Sequence, residues 1–71
     1  MVLDRYEFED LCGFVSGKMH EFGGCDCTLR FAQEWMTENK YSEQKRREIL
    51  SFLHEHGGYC DCEIFMNVEV A

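Results

Sequence analysis

Gly57-Gly58-Tyr59-Cys60-Asp61-Cys62-Glu63-Ile64-Phe65-Met66-Asn67-Val68-Glu69-Val70 is the stretch on which the fold turns. It opens with a glycine pair and two cysteines one residue apart. It then alternates: Cys62, Ile64, Met66, Val68 and Val70 interleave with Glu63, Phe65, Asn67 and Glu69. A two-residue repeat predicts a strand over 62–70. A strand needs partners for its backbone donors and acceptors. The short segment Gly24–Cys27 can bridge only its beginning. The rest is expected to pair antiparallel with the same strand of a second chain, which makes a homodimer through the C-terminal strand.

Upstream, the period changes to that of helices. From about Asp4 to about Glu21, Phe8, Leu11, Cys12, Val15 and Met19 fall at three- and four-residue steps and form one apolar stripe. Gly13 and Gly17 weaken this helix and suggest close packing. Gly23-Gly24 stops it, because glycine takes the left-handed cap conformation readily. A second helix is expected from about Thr28 to Glu38, capped by Asp26 or Thr28, with Leu29, Ala32, Trp35 and Met36 inside. A third runs from about Ser42 to His54, with Ser42 as N-cap and Ile49, Leu50 and Leu53 inward. The second and third helices read as an antiparallel hairpin through Asn39-Lys40-Tyr41. The expected fold is α+β and mostly helical. It has three helices plus a C-terminal strand, in one small domain over residues 1–71.

The glycine pair and Cys-Asp-Cys element occurs twice. Gly23-Gly24-Cys25-Asp26-Cys27 precedes Gly57-Gly58-Tyr59-Cys60-Asp61-Cys62 at a constant offset of 35 residues between the cysteines. These knuckles hold four of the five cysteines. Four thiols in two tight pairs suit one tetrahedral soft metal ion, so Cys25, Cys27, Cys60 and Cys62 are the candidate ligands and zinc the candidate metal. The two knuckles must then come together. A spacing of one residue is a weaker signal than the common spacing of two, although residues two apart in an extended segment share a face. A 71-residue chain needs such a staple, because a core of this size supplies only about 3–5 kcal/mol by itself.

Other uses of the same residues compete with this reading. A disulfide within Cys-x-Cys is strained and reducible, and a helix N-terminus lowers the pKa of a nearby thiol. The alternative is therefore a thiol redox or metal-handling protein. Asp26 and Asp61 should point away from the thiols, as aspartates that suit turns and caps. His20, His54 and His56 sit near helix ends, where the dipole favours them; the sharper reading makes one of them an outer partner of the site. Cys12, on the apolar stripe, reads as core. No third member supports a Cys–His nucleophile, and four thiolates leave no open position for a hydrolytic zinc. The sequence points away from an enzyme.

Net charge is −7, from 7 Lys and Arg against 14 Asp and Glu. Nucleic acid and anionic membranes are poor partners for such a surface. The basic run Lys45-Arg46-Arg47 lies between acids on a helix and reads as a solvated face. No leader pattern or membrane-length apolar run is legible, so a cytoplasmic location is expected. Thiols there are usually reduced, which favours metal or redox chemistry over structural disulfides.

The run His56-Gly57-Gly58-Tyr59-Cys60-Asp61-Cys62-Glu63-Ile64, followed by Asn67-Val68, resembles the signature of the bacterial family called domain of unknown function 2695. Cys25-Asp26-Cys27-Thr28-Leu29-Arg30, with Trp35-Met36 after it, is similar to the same family. The likeness runs from about Phe8 to Val68. The family pattern often carries His where this chain has Cys27, and His and Cys are interchangeable as zinc ligands. The resemblance thus implies a metal site more than a disulfide and implies no reaction. The expected role is structural: a zinc-held domain that binds another protein.

Overall fold

Asp4 starts the first helix with a reciprocal cap. Its Oδ1 accepts from the Glu7 amide at 2.8 Å, and Glu7 Oε1 accepts from the Asp4 amide at 3.2 Å, satisfying two donors that a helix start would leave open. In the computed structural model, which describes residues 2–24 and 28–68, this helix is α1, Arg5–Phe22. Three more follow: α2, Arg30–Glu38; α3, Glu43–Glu55; and α4, Asp61–Asn67.

The stripe on α1 buries Leu11 and Val15, with Phe8, Cys12 and Met19 packed at its edges. A Cβ added at Gly13 or Gly17 would meet nothing within 4 Å. Neither glycine mediates close packing, contrary to the sequence expectation. Gly23 ends α1 in the left-handed region at φ +82, and the Gly24 amide returns to the Met19 carbonyl at 2.8 Å.

α2 carries the heaviest core face: Phe31, Ala32, Trp35 and Met36 are all buried. Its main neighbour is α1, and α4 touches both. The expected α2–α3 hairpin is therefore not the principal packing unit. Those two helices are tied by Arg46, whose Nη2 donates to Thr37 Oγ1 at 2.7 Å and to the Gln33 carbonyl at 3.4 Å. Between them the chain turns with Lys40 at φ +56, and the Tyr41 amide donates back to the Met36 carbonyl. Two polar links join α1 to this layer. Trp35 Nε1 donates to Asp10 Oδ2 at 2.8 Å, and the Tyr41 hydroxyl donates to Glu7 Oε2 at 2.9 Å. Ser42 caps α3 through the Lys45 amide, as its position predicts. Ile49 and Leu53 enter the core, while Leu50 and Phe52 are half-buried.

The expected C-terminal strand is a correction. Residues 61–67 are helical, Val68 after them is extended, and no strand occurs among the described residues. Asp61, Ile64 and Val68 are buried, at steps of three and four. Met66, which the alternation placed inside, is 75% exposed. Ile64 and Val68 satisfy a period of two and a period of 3.6 equally. Seven residues make less than two helical turns, too few for the periods to separate. The fold is helical, not α+β. The expected pairing of residues 62–70 with a second chain loses its ground over 62–67, because those residues are helical and not extended. Glu69 and Val70 lie outside the described residues.

The second glycine pair explains why α4 can lie where it does. Gly57 turns the chain at φ +86, and its carbonyl accepts from Asn67 Nδ2 at 2.9 Å. At Gly58 a Cβ would come within 2.8 Å of Val68 Cγ2 and 3.2 Å of the Leu53 carbonyl. The end of α4 thus packs directly on the backbone that leaves α3.

Candidate metal centre

Cys60 is the extended N-cap of α4, at φ −147 and ψ 171, and is buried; Cys62 follows in the first helical turn and is half-buried. Their Sγ atoms lie 3.2 Å apart. The pair shares a side through this change from extended to helical backbone, not through the continuous strand that the sequence suggested.

Asp61 turns the other way, as expected, and does more than suit a turn. It is fully buried, and its carboxylate accepts from the amides of Phe31 at 3.0 Å and Ala32 at 3.1 Å. These are the second and third residues of α2, whose own N-cap, Leu29, offers no side-chain acceptor. A carboxylate at this place satisfies orphan donors and meets the positive end of the helix dipole. Asp61 thus caps a helix 30 residues away in sequence. Its amide also donates to the Thr28 carbonyl at 2.9 Å. The expected caps for α2 were Asp26 or Thr28. Asp26 lies outside the described residues, and Thr28 Oγ1 accepts from the Arg30 amide at 3.3 Å.

The second knuckle is therefore latched to Thr28, the residue that follows Cys27 in the chain. Of the four expected ligands, the structure brings Cys60 and Cys62 together; Cys25 and Cys27 lie outside the described residues. Among the described residues, no group of three or more His, Cys, Asp and Glu side chains is arranged to hold a metal ion. The His54 ring stacks on Tyr59 with centroids 5.4 Å apart, and His56 lies tilted on Phe52 at 4.5 Å. His20 is exposed in the last turn of α1. Cys12 packs at the edge of the core, where burial, with Glu9 nearby, pushes its thiol pKa up and disfavours a reactive thiolate. Sequence reasoning missed the cross-helix role of Asp61. The sequence offered no signal for it, because Asp26 and Thr28 stand beside the helix start as ordinary local caps.

Fold and site together define a small helical domain whose paired-thiol knuckle is hydrogen-bonded to the start of another helix. The chain belongs to the family described as "Protein of unknown function (DUF2695)", whose model matches residues 11–67. It is 39% identical over 69 residues to uncharacterised proteins of Mycobacterium bovis and of two strains of Mycobacterium tuberculosis. The match takes in 97% of this chain and spans 66% of the length of each relative. No solved structure matches. Among the described residues, no helix is long and apolar enough to cross a membrane.

Proposed function

We propose that this chain is a cytoplasmic protein-interaction module stapled by one zinc ion, with Cys25, Cys27, Cys60 and Cys62 as ligands. One observation carries the reading: the Cys60 and Cys62 sulfurs lie 3.2 Å apart on a segment that is itself bonded to Thr28. Four thiolates around zinc at about 2.3 Å stand about 3.8 Å from one another in a tetrahedron. Opening the pair by roughly half an ångström requires only side-chain rotation at Cys60 or Cys62. Cys27 directly precedes Thr28 in the chain, so the bond from the Asp61 amide to the Thr28 carbonyl supports a site that draws on both knuckles. A site with all four positions filled by thiolate has a structural role and no place for a reacting water.

Native mass spectrometry of protein purified without added metal tests the proposal. One zinc per chain, lost together with helicity on chelation, supports it. A folded, metal-free chain whose cysteine pairs cycle between thiol and disulfide would favour the redox reading instead.

A further inference from the structure

Only one residue separates Cys60 from Cys62, yet the backbone changes between them from extended to the first turn of α4. That change leaves their Sγ atoms 3.2 Å apart, a distance between two chemical end states. Thiolates that share a tetrahedral zinc stand about 3.8 Å apart, and sulfurs joined in a disulfide stand about 2.05 Å apart. The pair reaches the first state by opening roughly half an ångström and the second by closing about 1 Å. The two sulfurs are unequally open. Cys60 is 7% exposed, whereas Cys62 is half-buried. A reagent from solution therefore meets Cys62 first, with Cys60 already beside it.

The two end states exclude each other. Zinc is held by thiolate, and a sulfur in a disulfide is no longer one. Closing the pair removes two of the four ligands proposed above. The ring that forms runs through the backbone of Asp61. That backbone is anchored on α2 by the carboxylate bonds to the Phe31 and Ala32 amides, and beside it by the Asp61 amide on the Thr28 carbonyl. A disulfide closed on a backbone held elsewhere is strained, and strained disulfides are the readily reduced ones. Small thiols can therefore reopen it. Cys12 sits apart from this chemistry, packed at the edge of the core.

We propose that the second knuckle is a reversible redox-modification site, where a low-molecular-weight disulfide converts Cys60 and Cys62 to an internal disulfide and so expels the zinc. The Cys62 thiolate attacks one sulfur of the reagent RSSR, forms a mixed disulfide and releases RS⁻. The Cys60 thiolate then attacks the Cys62 sulfur, forms the Cys60–Cys62 bond and releases the second RS⁻. Two electrons pass from the pair to the reagent, and no proton is consumed. Zinc leaves because Cys25 and Cys27 alone remain as thiolates. The metal step rests on the four-cysteine reading above; the disulfide step is read independently of it.

The test treats the zinc-loaded full chain with millimolar glutathione disulfide, alkylates the remaining thiols and cleaves with trypsin. Cleavage sorts the cysteines: Cys12 falls in residues 6–18, Cys25 and Cys27 in 19–30, and Cys60 and Cys62 in 48–71. The expected result is a 48–71 fragment without alkylation and two hydrogens lighter, formed in step with zinc release to a chromogenic chelator. Dithiothreitol should restore the thiols and the bound zinc. Cys62→Ser should slow reaction of this fragment about tenfold or more, Cys60→Ser should leave glutathione on Cys62, and Cys12→Ala should change neither. The proposal is overturned if the 48–71 fragment stays alkylated at both cysteines, if its first product is a crosslink to 19–30, or if glutathione is found on Cys60 first. Zinc content is measured before the oxidant is added. A chain without zinc fails the metal reading, while the mass of the 48–71 fragment still decides whether the pair closes.

Discussion

Truncating Asp61 to alanine is the sharpest perturbation of the fold. The carboxylate accepts from two amides, at 3.0 and 3.1 Å, and the residues that donate are themselves almost sealed: Phe31 is 2% exposed and Ala32 0%. Water cannot readily take the place of the lost acceptor. A hydrogen bond to a charged group contributes about 1.5–3 kcal/mol, and a buried donor left unmet costs about 1–3 kcal/mol. The substitution also relieves the desolvation of a buried carboxylate, which offsets part of that sum. We expect Asp61→Ala to destabilise the chain by about 3 kcal/mol, above the roughly 1 kcal/mol typical of a surface cap. Asp61→Asn keeps the shape and one acceptor but turns an NH2 group toward the helix donors, and should lose about half as much. Urea unfolding followed by the fluorescence of Trp35, the single tryptophan, reads both variants. Loss of less than about 0.5 kcal/mol in Asp61→Ala, the range of an ordinary surface change, would refute the cross-helix cap.

Gly13→Ala and Gly17→Ala, at exposed positions with open space around them, should each add about 1 kcal/mol in thermal or urea unfolding. Gly58→Ala should cost about 1–3 kcal/mol, because its Cβ would meet Val68 Cγ2 at 2.8 Å and overpacking forces a shift; the same unfolding curves report it. Tyr41 has its pKa pushed up to about 12, first by burial and then by its hydrogen bond to Glu7. Its ordinary value lies near 10, so the unfolded chain ionises first. The contribution of this link to stability should be complete below about pH 10 and be lost as pH rises through about 12. Phenolate absorbance and unfolding curves across that range should show it, and Tyr41→Phe should remove it.

The three long helices were legible because each repeats its pattern over two turns or more, and the first and third end at glycine pairs. Ser42 caps where a cap was expected, Asp4 caps at the expected start of the first helix, and Gly23 and Gly57 turn the chain with positive φ. α4 was not legible. Its burial rests on Ile64 and Val68, four apart, and four is a multiple of two. Only the exposure of Met66, a tertiary fact, separates helix from strand. The candidate ligands were visible as a repeated motif, but the residue that ties the second knuckle to the start of α2 was not. Asp61 acts on amides 29 and 30 residues distant, and no window along the chain contains both ends of that contact. The two glycine pairs look alike in sequence and do different work. A Cβ at Gly23 or Gly24 meets open space beside a left-handed turn, whereas Gly58 leaves room for Val68.

X-ray absorption at the zinc edge, on protein loaded with one equivalent of zinc, tests the central claim most directly. Four sulfur neighbours at about 2.3 Å and no nitrogen or oxygen shell are the predicted result, with the count falling when Cys60 or Cys62 is replaced by serine. A first shell of nitrogen and oxygen, or an unchanged spectrum after both replacements, would contradict the four-cysteine site.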